Sequence, residues 1–160
     1  MTGIRTARIA DRLRMALVAG LGLGLVVTIV GVAYAHNIFT TLDVRQPEFA
    51  ARHWSFTTVH IANGCVEGGD STPCSAGFDF KAHSGAQIKQ SGEWQAFGTV
   101  VKSVKRHWPD STSVRATKEF DCPSGHPTYT FRTRGTGGIV HNGIWYWTAF
   151  FFSPERTETC

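Results

Sequence analysis

Four cysteines, Cys65, Cys74, Cys122 and Cys160, are the residues whose chemistry the sequence constrains most. No C-x-x-C pair occurs among them, so the ligand spacing of a structural zinc site is missing. In an exported chain an even count points to two disulfides. Number alone allows three pairings. Gly68, Gly69 and Pro73 make the stretch between Cys65 and Cys74 turn-prone, which favours that pair and leaves Cys122 with Cys160. The second bridge would tie residue 160 to the middle of the chain and contribute about 2–4 kcal/mol, chiefly by restricting the unfolded state. Catalytic signatures are absent from the sequence: there is no G-x-S-x-G, H-E-x-x-H, Walker or dinucleotide motif. Carboxylate pairs such as Glu93 with Glu119 or Asp121 are expected by number in any domain with eleven acids. The reading is non-enzymatic, and no residue is assigned as catalytic.

Export rests on residues 1–35. Arg5, Arg8, Arg12 and Arg14 precede an apolar run from Met15 to Val32, which closes on Ala33-Tyr34-Ala35. That order of charge, apolar stretch and small-residue site describes a secretory signal peptide, expected to be helical before its removal. The alternative is a retained membrane anchor over residues 15–34, since the run approaches the length that spans a bilayer. Gly20, Gly22 and Gly24 weaken such a helix. Cleavage after Ala35 leaves a single secreted domain, residues 36–160. The whole chain carries +4, but residues 36–160 hold twelve Lys/Arg against eleven Asp/Glu, or +1. Net charge therefore gives no general case for nucleic-acid binding, and membrane contact is expected only through the signal segment.

Cleavage there would make His36 the first residue, and a terminal histidine offers its α-amino and imidazole nitrogens together as a Cu(II) chelate. In this one feature the chain resembles exported β-sandwich copper proteins, the copper-carrier domains and the lytic polysaccharide monooxygenases. That resemblance implies copper held by His36 with a second histidine from elsewhere, among His53, His60, His83, His107, His126 and His141. The sequence His36-Asn37-Ile38-Phe39 lacks the aromatic and proline context of those families. The cofactor expectation is accordingly none, with copper as the alternative.

Basic and aromatic residues are the other candidates. Lys102, Lys105, Arg106, His107 and Trp108 form a local patch that could hold an anionic polymer by charge and stacking; the plainer account is a solvated strand edge. Trp94-Gln95-Ala96-Phe97-Gly98, then Ser103, His107 and Ser113-Val114-Arg115-Ala116, resembles the Trp–Gly, Ser and His–Ser–Ala pattern of lactococcin-like bacteriocins. The resemblance covers residues 94–116 and implies a small exported β-sandwich acting on a cell-wall precursor of competing bacteria. The residues expected to bind a ligand are Trp94, Lys105, Arg106, Trp108, Trp145 and Trp147. The partner expected is a cell-wall glycan or another extracellular protein.

The elements that must position these residues are strands. Period-two alternation marks His53–Ile61, Gly77–Lys81, Ala86–Lys89, Glu93–Phe97 and Ser113–Phe120, and no helical period appears after residue 52. Seven or eight short strands predict an all-β antiparallel sandwich or barrel. Residues 36–52 read as irregular, with a helical turn after Pro47, and Thr99–Trp108 as a weak strand or short helix. From Thr128 to Phe152, two β-rich runs flank Gly135-Thr136-Gly137-Gly138. They read as a hairpin whose aromatic second run is the core strand, because large rings dominate the burial of small domains. The alternative is an exposed aromatic platform for sugar rings.

Overall fold

In a computed structural model the described residues are 16–17, 24–33, 36–67, 73–141 and 143–160, with side chains described for 37–67, 73–140 and 143–160. The fold is all-β and antiparallel, as its alternation predicts. In chain order the strands are β1 (Ala16–Leu17), β2 (Gly24–Ala33), β3 (His36–Arg45), β4 (Glu48–Ala50), β5 (His53–Glu67), β6 (Phe78–Gln90) and β7 (Glu93–Lys102). They continue as β8 (Arg106–Trp108), β9 (Ser113–Asp121), β10 (Thr128–His141), β11 (Ile144–Trp147), β12 (Phe151–Phe152) and β13 (Arg156–Thr159).

Two sheets result. In the first, β5 is central: β3 and β4 pair along one edge, β9 along the other, and β2 with β1 extends the sheet beyond β3. In the second, β6 and β10 are central. β7 and β8 flank β6, while β11, β12 and β13 pair in turn along β10. Two-residue turns with positive φ close the tightest hairpins, Ala51-Arg52 between β4 and β5 and Ser91-Gly92 between β6 and β7. Turns of this hand match the twist of the flanking strands.

Alternation explains the packing. On β5 the residues Trp54, Phe56, Thr58, His60 and Ala62 face inward, and on β6 Phe78, Phe80, Ala82, Ser84, Ala86 and Ile88 meet them. Their burial produces two apolar clusters. One gathers Ile38, Ala62, Phe78, Phe80, Val114 and Ala116 around the Cys65–Cys74 bridge. The other gathers Trp54, Phe56, Ile88 and Phe131 beside Cys160, which is bridged to Cys122. Both disulfides expected from the sequence are formed. A polar seam runs between the clusters. Thr58 Oγ1 donates to Ser84 Oγ at 3.1 Å, and Ser84 Oγ donates to the Phe56 carbonyl at 2.8 Å. His60 Nδ1 lies 2.8 Å from the Lys81 carbonyl oxygen.

The glycines of β10 let the sheets close over this seam. A Cβ on Gly135 would lie 2.4 Å from Thr58 Oγ1, and one on Gly137 would lie 2.9 Å from the His60 ring. Only residues without a Cβ permit that approach. Gly135–Gly138 are therefore not a turn: they sit within one fourteen-residue strand that runs on to His141, whose partner across the hairpin is Ile144.

Other expectations are corrected in the same way. His36–Arg45 is strand β3, because Ile38, Thr40, Leu42 and Val44 alternate inward, and the stretch after Pro47 is the short strand β4 in place of a helical turn. Residues 78–90 form one strand, since Ala82, Ser84 and Ala86 continue its buried face. Thr99–Lys102 completes β7, and β8 follows without a helix. The aromatic run is divided between β11 and β12, and it borders only β10. Lying at the sheet margin, it leaves Ile144 59%, Tyr146 50% and Trp147 42% exposed, so it is not the core strand.

The helix expected of the export signal lies outside the described residues. Where the backbone of that segment is described, Gly24–Ala33 pairs along β3 over ten residues, Gly24↔Arg45 to Ala33↔His36. Val26, Val27, Ile29, Val30 and Val32 suit a strand that completes an open sheet edge. Among the described residues, no helix is long and apolar enough to cross a membrane.

Candidate binding face

The outward residues of the second sheet form one continuous surface. Register places Arg132 opposite Gln87, Arg134 opposite Gly85, Thr136 opposite His83 and Gly138 opposite Lys81. Residues directly opposite in an antiparallel pair project to the same side. β7 adds Trp94 opposite Lys89 and Lys102 opposite His83, and β11 adds Trp147 opposite Gly138.

Rings and cations alternate across this surface. The Arg132 guanidinium lies 4.2 Å from the Trp94 ring centroid and 4.2 Å from that of Phe152, and its Nε donates to Gln87 Oε1 at 2.8 Å. Arg134 crosses Gly85, where a Cβ would meet its Nε at 3.0 Å, and its guanidinium lies 5.2 Å from the Phe150 ring. At the far end Lys81 Nζ sits 4.9 Å over Trp145, and Trp145 runs nearly parallel to Trp147 with centroids 5.4 Å apart. His83 lies 4.2 Å from Trp147. The Trp147 indole rests across Gly138, whose Cβ would fall 2.6 Å from the ring. Attraction of cations to ring faces, and the close approach that Gly138 permits, fix these large side chains on the sheet surface.

The irregular segment between β11 and β12 is pinned so that its rings reach this face. Thr136 Oγ1 donates to the Thr148 carbonyl at 2.8 Å, and the Thr148 amide donates to the Gly137 carbonyl at 3.0 Å. Further on, the Thr133 amide donates to Ser153 Oγ at 2.9 Å. Phe150 and Phe152 are thereby set beside Arg134 and Arg132.

Basic side chains outnumber acids on this surface. Burial lowers the His83 pKa, and Lys102 and Lys81 lower it further; burial also lowers that of Arg132, opposed by Glu155. The acids nearby are engaged. Glu155 holds Lys89 at 3.1 Å, while Asp79 accepts from Lys105 at 2.6 Å and lies 2.8 Å from His107 Nδ1. Lys105, with burial opposing it and His107 assisting, keeps the Asp79 carboxyl below its usual range.

The sequence-derived candidates divide across this geometry. Trp94, Trp145 and Trp147 share the face. Lys105 stands at its edge in the pair with Asp79, while Trp108 is turned inward and stacks on Phe78 at 5.6 Å as part of the packing. Arg106 is exposed on β8 opposite Phe80, away from the rings. His36 opens β3, and its side chain lies outside the described residues. Among the described residues, no three His, Cys, Asp or Glu side chains cluster as a metal site. Of the bacteriocin-like positions, Trp94 is on the face, Ser103 Oγ caps the Ala82 amide at 3.0 Å, and His107 is held by Asp79.

Arg132, Arg134, Lys81, Phe150 and Phe152 were not singled out by sequence, and His83 entered only among the histidines that could complete a copper site with His36. The signal was present in the alternations Arg132-x-Arg134 and Lys81-x-His83, but it becomes a surface only when the β6–β10 register is known. No protein-family model, curated protein or solved structure matches this chain.

Proposed function

We propose that the chain is an exported, non-enzymatic binding domain that holds a linear glycan outside the cell on the outward face of the β6–β10 sheet. The observation that carries this reading is the placement of Trp94, Trp145, Trp147, Phe150 and Phe152 together on that one face. Trp147 and Phe150 each remain 42% exposed there. A domain that needed these rings for its core would have turned them toward the other sheet, where Trp54, Phe56 and Phe131 already fill the space. Aromatic rings fixed on a sheet surface suit the CH faces of sugars, and exposed apolar patches of this kind mark interaction sites. The two disulfides suit an oxidising compartment, and the charged, apolar and A-x-A order of residues 1–35 supports export.

Tryptophan fluorescence titration with a panel of neutral and acidic oligosaccharides tests the reading, using the wild type and the variants W147A and W145A. Saturable quenching in the wild type, lost in W147A while the thermal midpoint is kept, is the expected result. An unchanged response in both variants would remove the face from consideration.

A further inference from the structure

Resting on the binding face proposed above, we infer that its ligand is a linear acidic glycan, whose carboxylate or phosphate groups are read by a row of basic side chains, four of them without a carboxylate partner among the described residues. Along this face stand Lys81, His83, Lys89, Lys102, Arg132 and Arg134, against Asp79 and Glu155. Both acids are committed, Glu155 to Lys89 and Asp79 to Lys105 and His107. Among the described residues, Lys81, Lys102, Arg132 and Arg134 have no carboxylate within ion-pair distance.

The row is concentrated on one face of a domain whose residues 36–160 carry only +1. Gathering like charges costs self-repulsion, which an incoming polyanion relieves. Burial first, and then Lys102 and Lys81, lower the proton affinity of His83, which places both lysines close enough to act on a shared ligand.

Geometry favours a chain over a single anion. Arg132 and the Gly138 position that carries Trp147 are six residues apart on β10, which is about 20 Å along a strand. Cations and rings occur at both ends and midway: Arg132 with Trp94 and Phe152, Arg134 with Phe150, and Lys81 with Trp145. Arg132 is the best-formed anion subsite. Its plane is fixed by two rings and its Nε is used by Gln87, which leaves the terminal amino groups without a hydrogen-bond partner among the described residues. A guanidinium held this way can accept a carboxylate or phosphate bidentately. The +1 net charge of residues 36–160 disfavours nucleic acid, and the oligothymidylate control tests it directly.

The test is calorimetric titration of the disulfide-bonded protein with octasaccharides of polygalacturonate, hyaluronate and alginate. Controls are fully methyl-esterified oligogalacturonate, an oligomer of glycerol phosphate, and oligothymidylate. At least one acidic octasaccharide should bind, with a disaccharide of the same sugar much weaker. The ester should bind at least about tenfold more weakly, as expected when a charge-assisted hydrogen bond is lost. R132Q should lose about tenfold and R132K nearly as much, because lysine keeps the charge but not the fork. K102E, an exposed change that leaves the packing intact, should lose affinity and become less salt-sensitive. Equal binding of ester and acid would overturn the acidic-glycan inference while leaving the glycan-binding face standing. Glycerol phosphate matching the sugars would overturn the part played by the rings. Tighter binding of oligothymidylate would replace the glycan with nucleic acid. Binding of no oligosaccharide, neutral or acidic, would overturn both proposals.

Discussion

His60 and Gly137 meet across the two sheets so closely that a Cβ on residue 137 would fall 2.9 Å from the imidazole ring. His60 is also 1% exposed, and its Nε2 has no partner among the described residues. Gly137→Ala should therefore cost about 1–3 kcal/mol, the range for overpacking a close contact. Urea unfolding of the variant against wild type reads this directly. A change below about 0.5 kcal/mol would mean that the sheets part easily there.

The same histidine makes the fold acid-sensitive. Burial lowers its pKa from 6.5 to about 4, opposed by the bond to the Lys81 carbonyl. The folded value is the depressed one, so the contribution is fully present above pH 6.5 and is lost as pH falls toward 4. The loss is on the order of 3 kcal/mol. Stability measured between pH 7 and 4 should fall in wild type and flatten in His60→Leu. Parallel profiles would assign the acid sensitivity to other groups.

Gly138, one residue along, should behave differently from Gly137. Its missing Cβ faces outward, under the Trp147 indole. A displaced ring at the surface can tilt into solvent, so Gly138→Ala should change stability by less than about 1 kcal/mol. It should alter near-ultraviolet circular dichroism and weaken glycan binding. Wild-type binding with an altered tryptophan signal would show that the height of the ring does not matter.

Reduction of the Cys122–Cys160 bridge should cost more than loss of Cys65–Cys74. The sequence separations are 38 and 9 residues, and loop-closure entropy grows with length. The expected costs are about 4 and about 2.5 kcal/mol, measured on the paired Cys→Ser double variants. The reverse order would point to enthalpic roles for the bridges.

An acidic ligand should raise the lowered pKa of His83, since its charge offsets that of Lys102 and Lys81. Binding near pH 6 should then take up protons, visible as a buffer dependence of the calorimetric heat. No such dependence, with His83→Gln identical to wild type, would place the anions away from this end.

Alternation made much of this legible. Trp54, Phe56 and Thr58 on one face of β5, and Val114 and Ala116 on one face of β9, could be read in chain order because a strand's period is two. The turn-prone residues between Cys65 and Cys74 likewise favoured, among three possible pairings, the one that forms. The glycines of β10 misled because glycine usually marks turns. Here it answers a demand from the opposite sheet, imposed by Thr58 and His60, which lie some seventy-five residues away in sequence. The cation row was hidden for a related reason. Arg132 and Arg134 look like an ordinary solvated face until Trp94, Phe150 and Phe152 arrive beside them from three other segments.

Strand β10 thus carries two interleaved texts. Its odd positions, Phe131, Thr133, Gly135 and Gly137, are read by the interior, and its even positions, Arg132, Arg134, Thr136 and Gly138, by the outer surface. Substitutions on the even register can retune what the domain holds without disturbing how its sheets fit. A one-residue slip would exchange the two texts and erase both.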